Sequence, residues 1–458
     1  MVVRVVVVGG GIAGLTAARD LVAAGHEVVL LEGADHVGGK LQRHDVGGVT
    51  VDVGAEAMLN RRPEGVALAR AVGLELEHPT VASSRIWTRG ALRPLPRSLM
   101  GVPLDLEQLA SSGVLSDAGL ELARREPALP PEVIEGDVSV GELVARRFGD
   151  EVVDRLVEPL LGGVYAGHAR ELSARASVPQ LVGFAERGSL LEQGAAIPMT
   201  YDTPVFAGIS GGMGLLPDAL AAGLEARLGV TVRGVSRTED GFAVLTGPTT
   251  APEIITADAV VLATPAAPTA RLLADLAPTA SAELAGIEAA SMAVVSFAFS
   301  AADVAAVDTG SSGFLVPPVD GRRIKASTFS FAKWGWVREA GAAEGLVHLR
   351  TSLGRHREEV ALQASDEELV ALSLVDLEAA TGLRAVPVDT HVQRWGGGLP
   401  QYAVGHLDRV ARIRADVARV PGLAVCGAAY DGVGIPAVIA SAHRAAAELF
   451  TADGTMES

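Results

Sequence analysis

A glycine-rich turn near the start of the chain constrains the fold more than any other feature. Gly9, Gly11 and Gly14 follow an apolar β-branched run, residues 2–8, and open an Ala/Leu-rich segment typical of a helix, residues 12–24. In that context the glycines permit a tight turn, close approach of the backbone to a pyrophosphate, and packing of the helix on the strand. The pattern predicts a strand-helix-strand unit that binds a dinucleotide at the start of its helix.

An acidic residue closes the same unit. A second apolar run, residues 27–31, ends at Glu32. An acceptor for a ribose 2′-hydroxyl belongs at this position, and a carboxylate there would repel a 2′-phosphate, which argues against NADP. The unit by itself leaves NAD and FAD open.

Further glycine-bearing segments favour FAD. Two of them come soon after Glu32, as expected for a cofactor that lies extended in a long crevice, and one opens an Ala-rich helix near residue 435. The positive end of that helix would stabilise an anionic reduced flavin. The candidate cofactor residues in these segments are Gly38, Gly39, Lys40, Gly54, Ala55, Glu56, Gly427, Val433, Gly434 and Ile435.

Composition excludes several kinds of partner and compartment. The 458 residues include 38 basic and 55 acidic side chains, for a net charge of −17, and only 4% are aromatic. Nucleic acid is therefore not expected as a partner, because both a basic face and base-stacking surfaces are missing. The single cysteine, Cys426, excludes an intrachain disulfide and fits a reducing cytoplasm. Neither a signal peptide nor a membrane-spanning run is expected.

Other catalytic patterns are weak. Residues 208–212 match GxSxG around Ser210, but they follow a proline-containing stretch, so a serine hydrolase is not expected. The 10 histidines show no HxH or HExxH spacing, and no metal site is predicted. At Cys426 a buried small side chain is expected rather than a covalent flavin link.

Along the rest of the chain, the pattern alternates between sheet-like and helical regions. Helical signals dominate residues 104–187, and residues 213–228 predict one amphipathic helix. A second region of alternating strands begins near residue 292, and one of its strands is predicted over residues 387–393. These signals favour two sheets and a largely helical insertion.

Several blocks of the sequence resemble the FAD-dependent coproporphyrinogen III and protoporphyrinogen IX oxidases, within the flavin monoamine oxidase-like superfamily. The glycine fingerprint is shared with amine oxidases and phytoene desaturases, whereas the blocks at 158–167 and 430–436 are more specific. Lys40, where arginine is commoner, and Ala428 and Ala429 depart from the family pattern. The other matching blocks are residues 38–40, 211–217, 325–334 and 399–406.

The resemblance implies an α/β fold class. A Rossmann-type FAD-binding domain would be built from discontinuous segments and accompanied by a mixed-sheet substrate domain and a helical insertion domain. The implied boundaries are 1–80, 205–270 and 395–458 for the FAD-binding domain, 81–100 and 271–394 for the substrate domain, and 101–204 for the helical domain.

The resemblance also implies the chemistry. A member of this family would oxidise coproporphyrinogen III in three two-electron steps, with non-covalent FAD as hydride acceptor, O₂ as oxidant and H₂O₂ as product, in haem biosynthesis. No acid or base side chain is required, because the pyrrole nitrogens stabilise the developing cation, so no catalytic residue is predicted. Further cofactor contacts are implied at Ile12, Ala13, Val232, Thr264 and Trp395.

Four residues are candidates for binding the tetrapyrrole. Because the chain is acidic overall, local cations must neutralise the propionates, and Arg62 and Lys325 are placed to do so, although either could be a solvated surface charge. Tyr165 and Tyr402 lie in matching blocks and are candidate cavity walls, with core packing as the alternative.

Other functions stay open at this point. Protoporphyrinogen IX is the alternative substrate, and the wider superfamily adds amine oxidase and carotenoid-type desaturase activities. A non-catalytic flavin or tetrapyrrole carrier is a further alternative. The expected location is the cytoplasm, with room for a peripheral membrane contact and for contact with the next enzyme of haem biosynthesis.

Overall fold

The computed structural model describes residues 2–80, 83–197, 204–308 and 310–450. Its strands are β1 (Arg4–Val8), β2 (Glu27–Leu31), β3 (Arg43–Val46), β4 (Val49–Asp52), β5 (Met58–Leu59), β6 (Leu76–Glu77), β7 (Arg85–Thr88), β8 (Ala91–Pro94), β9 (Ser98–Leu99), β10 (Val102–Pro103), β11 (Phe206–Ile209), β12 (Glu225–Arg227), β13 (Gly234–Arg237), β14 (Phe242–Thr246), β15 (Glu253–Ala257), β16 (Ala259–Leu262), β17 (Ala289–Ser300), β18 (Gly313–Leu315), β19 (Ile324–Thr328), β20 (Leu346–Leu353), β21 (Asp389–Pro400) and β22 (Leu423–Val425). Its α-helices are α1 (Ile12–Ala23), α2 (Pro63–Ala71), α3 (Leu106–Ser112), α4 (Asp117–Ala123), α5 (Val140–Phe148), α6 (Asp150–Val152), α7 (Glu158–Tyr165), α8 (Ala174–Ser177), α9 (Pro179–Arg187), α10 (Leu190–Ala195), α11 (Leu215–Ala221), α12 (Ala266–Leu273), α13 (Pro278–Ala285), α14 (Ser330–Lys333), α15 (Gly335–Ala343), α16 (Asp366–Thr381), α17 (His406–Val417) and α18 (Ile435–Glu448).

A five-stranded parallel sheet carries the glycine fingerprint, with strand order β12, β2, β1, β16 and β22. Residues 5–8 of β1 are buried because helices cover both faces of the sheet. α1 and α18 pack on one face, and α12, α13 and α17 cover the other. This architecture confirms the predicted α/β fold class.

The parallel sheet is assembled from distant parts of the chain. β1 and β2 come from the N-terminal unit, β12 and β16 from the middle, and β22 from residues 423–425. Because the strands are parallel, the loops that follow their carboxyl ends meet at one edge of the sheet. Ligands of open α/β sheets bind at that edge.

A seven-stranded mixed sheet lies beside the first, in the order β21, β17, β20, β19, β18, β7 and β8. One face packs on α16 through a core that includes Phe297, Leu349 and Leu369. The other face meets the β3–β4 hairpin, where His348 and the Val46 carbonyl oxygen lie 2.9 Å apart. Helix α7 contacts β18 and β19.

The helical middle region has a core of its own. Helices α5, α7 and α9 share buried Leu, Val and Phe side chains, and a π-helical turn, Val153–Val157, joins α6 to α7. The Arg147 guanidinium pairs with the fully buried Glu126 carboxylate at 2.6 Å. Since Ser189 also donates to Glu126, at 2.5 Å, this pair joins three segments of the helical region.

The structure differs from the sequence pattern in two places. The single helix predicted over residues 213–228 is wrong: α11 spans Leu215–Ala221, and β12 then pairs with β2 at the edge of the parallel sheet. Strand β21 is longer than predicted and runs through Trp395 to Pro400, so it crosses residue 395, where a domain boundary is predicted. The three-domain division stays a prediction.

Within the described residues, no helix is long and apolar enough to span a membrane. The same residues hold no cluster of His, Cys, Asp or Glu side chains suited to a metal ion.

Candidate cofactor and substrate site

The fingerprint turn forms an open cradle at the end of β1. Gly9 has φ +110° and donates its N–H to the Leu31 carbonyl at 2.8 Å. A Cβ on Gly14 would lie 1.8 Å from the Gly9 carbonyl oxygen, so only glycine lets α1 start this close to the turn. A Cβ on Gly11 would meet no described atom within 4 Å, which leaves space for a ligand. Ile12 and Ala13 form the first turn of α1.

Glu32 is held at the end of β2 by backbone donors. Its carboxylate accepts the Gly10 N–H at 2.5 Å and the Ala34 N–H at 2.8 Å. These bonds place an acceptor beside the fingerprint turn, where a ribose hydroxyl is expected. The Val230 N–H donates to the Glu32 carbonyl at 2.8 Å, and this contact places the loop that carries Val232 beside Glu32.

The second glycine segment lies directly on the fingerprint. Gly38 forms a parallel bridge with Gly11 and donates to the Gly10 carbonyl at 2.8 Å. A Cβ on Gly39 would lie 3.3 Å from the Gly11 Cα. Lys40 follows, and desolvation lowers the pKa of its ammonium.

Gly54 and Ala55 extend the surface formed by the fingerprint turn and residues 38–40 toward the seven-stranded sheet. A Cβ on Gly54 would lie 2.0 Å from the Lys40 carbonyl oxygen and 3.1 Å from the Trp395 ring. Ala55 donates to the same carbonyl at 3.1 Å, and the Trp395 indole donates to the Val53 carbonyl at 3.3 Å. These predicted cofactor residues therefore form one continuous surface.

The Glu56 side chain makes ionic contacts within the protein. Its carboxylate lies 2.6 Å from Lys333 Nζ and 3.1 Å from an Arg350 guanidinium nitrogen. Arg350 also donates to the Gly54 carbonyl at 2.7 Å. Both carboxylate oxygens of Glu56 are therefore engaged by cations of the protein itself.

The C-terminal segment supplies a second open helix start at the same sheet edge. Gly427 has φ +127° and follows β22, and the Ser441 hydroxyl accepts its N–H at 3.2 Å. Val433 and Gly434 lead into α18 at Ile435, where no described side chain caps the helix and a Cβ on Gly434 would meet no described atom within 4 Å.

Thr264 completes this edge of the sheet. It follows β16, and its methyl group would lie 3.4 Å from a Cβ added at Gly9. Two open helix starts, at Gly11 and Gly434, with glycine backbone between them, fit a dinucleotide whose phosphates and ring need N–H donors and close approach.

Two of the four predicted substrate residues lie together. The Tyr165 and Tyr402 rings are buried, with centroids 5.5 Å apart, and Tyr402 stacks on His406 at 3.9 Å. The Tyr402 hydroxyl donates to the Ala428 carbonyl at 2.5 Å, on the loop that leads to Gly434. Burial raises the pKa of both tyrosines, so their hydroxyls stay protonated and neutral.

The two predicted cations have different environments. Lys325 is 4% exposed, and its ammonium lies 3.9 Å from the Met292 sulfur. Arg62 immediately precedes α2, with its side chain 43% exposed and 2.6 Å from the Glu64 carboxylate. Of the two, only Lys325 is buried.

Sequence reasoning did not select Lys333, Arg350 or Arg355 for the site. One signal could have found Lys333: the chain has only three lysines, Lys40, Lys325 and Lys333, and the other two are themselves candidates. In a chain whose other basic residues are arginines, a retained lysine is informative. Arg350 and Arg355 carry no such signal.

The comparisons agree with this geometry. The family model for flavin-containing amine oxidoreductases matches residues 12–450. The coproporphyrinogen III oxidase of Mycobacterium tuberculosis is 38% identical and that of Bacillus subtilis 30%, covering 97% and 98% of both chains. A solved structure from Exiguobacterium, described as a candidate protoporphyrinogen oxidase, superposes with a TM-score of 0.85 at 31% identity, over 97% of this chain and 98% of that one.

Proposed function

This chain belongs to the flavin-containing amine oxidoreductase family, and within it to the porphyrinogen oxidases, and from that premise we propose that it oxidises coproporphyrinogen III to coproporphyrin III. It is an oxidoreductase with FAD as cofactor. The observation that carries the choice of substrate is the 38% identity, over 97% of both chains, to the coproporphyrinogen III oxidase of Mycobacterium tuberculosis. Lys325, a buried lysine in the seven-stranded sheet, is a candidate to bind a propionate of that substrate. A tetracarboxylate substrate calls for such charges within an otherwise acidic chain.

FAD, when bound, would supply the hydride acceptor, and the overall reaction would convert one coproporphyrinogen III and three O₂ to one coproporphyrin III and three H₂O₂. The protein's own task is to bind, orient and exclude water. Its glycine cradle receives the cofactor, and the positive end of the α18 dipole stabilises negative charge beside Gly434.

The chain needs no acid or base at the reacting carbon. The pyrrole nitrogen lone pairs stabilise the cation that forms when hydride leaves a methylene bridge. The neutral hydroxyls of Tyr165 and Tyr402 agree with this, since neither is available as a base. We assign these two side chains to the wall of the substrate cavity and Lys325 to a propionate. Arg62, whose side chain is partly exposed, is a second candidate to bind a propionate.

The test is an aerobic assay of the purified holoprotein with coproporphyrinogen III and protoporphyrinogen IX in parallel, following porphyrin fluorescence and H₂O₂. We expect faster oxidation of the tetracarboxylate, with three H₂O₂ per porphyrin. Preference for protoporphyrinogen IX would contradict the proposed substrate but leave the proposed type of reaction unchanged. Porphyrin formation no faster than autoxidation would favour an amine oxidase or a carrier.

We also propose a cytoplasmic location, because the one cysteine, Cys426, is a buried thiol and the fold has no need of an oxidising compartment. A peripheral membrane contact and contact with the next enzyme of haem biosynthesis stay predictions from the family resemblance.

A further inference from the structure

Lys325 lies at an irregular point of the seven-stranded sheet. The pairing of β19 with β20 shifts between Ile324 and Ala326, so Lys325 has no register partner on β20. Its ammonium reaches Met292 on β17, which pairs with Trp395 on β21. Since the Trp395 ring lies against Gly54, this chain of contacts leads from Lys325 to the cofactor cradle.

A second buried cation lies close to Lys325. Arg355 follows β20, is 6% exposed, and donates to the Val316 carbonyl at 3.3 Å. The Val316 N–H donates in turn to the Lys325 carbonyl at 2.9 Å, so both cations flank the same short segment. Arg355 has one carboxylate within 4.0 Å among the described residues, the half-exposed Glu358 at 3.9 Å.

The carboxylates around β19 do not neutralise Lys325. In the described part of the chain, no carboxylate oxygen lies within the 4.0 Å ion-pair distance of its ammonium. Asp376 of α16 accepts the Ile324 N–H at 3.0 Å. Glu158 of α7 accepts the Ala169 N–H at 3.0 Å, and burial raises the pKa of its carboxyl. On β20, Arg350 adds a further positive charge, which Glu56 pairs.

Arg355 is faced by Glu358 and, beyond ion-pair distance, by Glu158, whereas Lys325 has no described carboxylate at ion-pair distance. The two buried cations are therefore incompletely neutralised, which is costly, since a buried charge is stable only when it is paired. Burial, and then the nearby Arg355 charge, lower the pKa of Lys325 to about 7. Without a ligand, the lysine therefore loses its proton near neutral pH. A bound anion would restore that proton and pair both side chains.

We propose that Lys325 and Arg355 together bind one carboxylate of the substrate, and that Lys325 takes up a proton from solvent as that carboxylate arrives. The inference rests on the proposed function, because it names the contact that a propionate makes in the same site. Arg355 becomes a further specificity-determining residue.

The test is titration calorimetry of the FAD-loaded protein with coproporphyrin III as the probe, in buffers of different ionisation enthalpy. We expect proton uptake close to one per porphyrin at pH 8, falling toward zero at pH 5.5, where the free lysine is already charged. Lys325→Met should weaken binding by about tenfold to a hundredfold and abolish the uptake. Lys325→Arg should keep the affinity within about threefold and also abolish the uptake.

Arg355→Gln should weaken binding by a similar factor, whereas Arg357→Gln, the same charge change at a 60% exposed arginine, should leave binding unchanged. Retained flavin absorbance shows that each variant is folded. Affinity within twofold of wild type in Lys325→Met, or unchanged proton uptake in either lysine variant, would overturn the proposal. Either result would leave the proposed function standing if the wild type still oxidises coproporphyrinogen III. Failure of the carboxylate-binding proposal can therefore be distinguished from failure of the proposed function.

Discussion

The Glu56 carboxylate and the Lys333 ammonium lie 2.6 Å apart and join the cofactor cradle to α14, the helix that follows strand β19 of the seven-stranded sheet. Glu56 is 8% exposed, and Arg350 is its second partner. Burial alone would raise the pKa of Glu56, but Arg350 and Lys333 outweigh burial and hold the pKa below 4.5. The pair therefore ties two regions of the fold together at neutral pH.

Replacing Glu56 by Gln leaves two cations without their counter-charge. We expect the free energy of unfolding to fall by about 3–5 kcal/mol, the range for breaking a buried pair. Glu121→Gln removes the same charge from an exposed pair with Arg124 and should cost no more than about 1 kcal/mol. Denaturant midpoints of the FAD-free proteins measure the difference, and equal losses in the two variants would contradict the assignment.

Asp52 should make stability depend on pH. Its carboxylate accepts the Met213 N–H at 2.8 Å and the Gly214 N–H at 3.2 Å, yet burial raises its pKa from 3.8 to about 6. Because the folded-state pKa is raised, the folded protein favours the protonated form. That stabilisation is complete below pH 3.8 and is lost as the pH rises through 6.

Between pH 5 and 8, the wild type should lose on the order of 1 kcal/mol that Asp52→Asn does not lose. Asp52→Asn is less stable by a constant amount, because one hydrogen bond is weakened. The melting temperatures of the wild type and Asp52→Asn should therefore converge as the pH rises. Asp218→Asn, at an exposed carboxylate paired with Arg43, should run parallel to the wild type. Parallel profiles for Asp52→Asn would show that this carboxylate does not titrate in the range.

Gly11 and Gly14 should differ in what an added methyl group does. At Gly11 the backbone has φ −73° and open space, so Gly11→Ala should leave the FAD-free protein as stable as wild type but raise the Kd for FAD at least tenfold, about 1.4 kcal/mol. At Gly14 the methyl meets a backbone oxygen, and the apoprotein itself should lose about 3 kcal/mol. FAD fluorescence titration and denaturant melts separate the two effects, and unchanged FAD affinity in Gly11→Ala would place the cofactor elsewhere.

Tyr402 and Tyr430 are both buried, but their hydroxyls differ in how well they are hydrogen-bonded. Tyr402→Phe loses the bond to the Ala428 carbonyl and should cost about 1 kcal/mol. The Tyr430 hydroxyl faces the Thr269 side chain without a well-aligned hydrogen bond, so Tyr430→Phe should cost less than Tyr402→Phe. Thermal melts of the two variants measure the contrast, and a larger loss in Tyr430→Phe would reverse the assignment.

The dinucleotide unit could be predicted from sequence because its information is local. Three glycines, a strand, a helix and Glu32 lie within one short stretch, and each has a physical reason to be there. The ionic contacts of Glu56 are different, since its partners, Lys333 and Arg350, come from far along the chain. A sequence pattern places a carboxylate near the cofactor but cannot say which cations will reach it.

The missed strand β12 shows the same limit for secondary structure. Residues 225–227 continue a helical pattern, but Gly223 adopts φ +82° and ends it, and β2 offers an edge to pair with. Likewise, glycines 396–398 are typical of a turn and have no register partners on β17, but the pairing of Trp395 and Leu399 with β17 on either side keeps them in β21. In both cases tertiary hydrogen bonding overrides local propensity.

The discontinuous parallel sheet also has a consequence for how the protein is made. One wall of the cofactor cradle leaves the ribosome with Gly11, but the opposite wall, at Gly434 and α18, is synthesised about 420 residues later. At translation rates of roughly 5–20 residues per second, the nascent chain spends about 20 s or more with α1 lacking its partner helix. A cradle that needs both walls therefore cannot form until α18 has been made, and a chain stalled before β22 would expose the apolar face of α1 to chaperones and proteases.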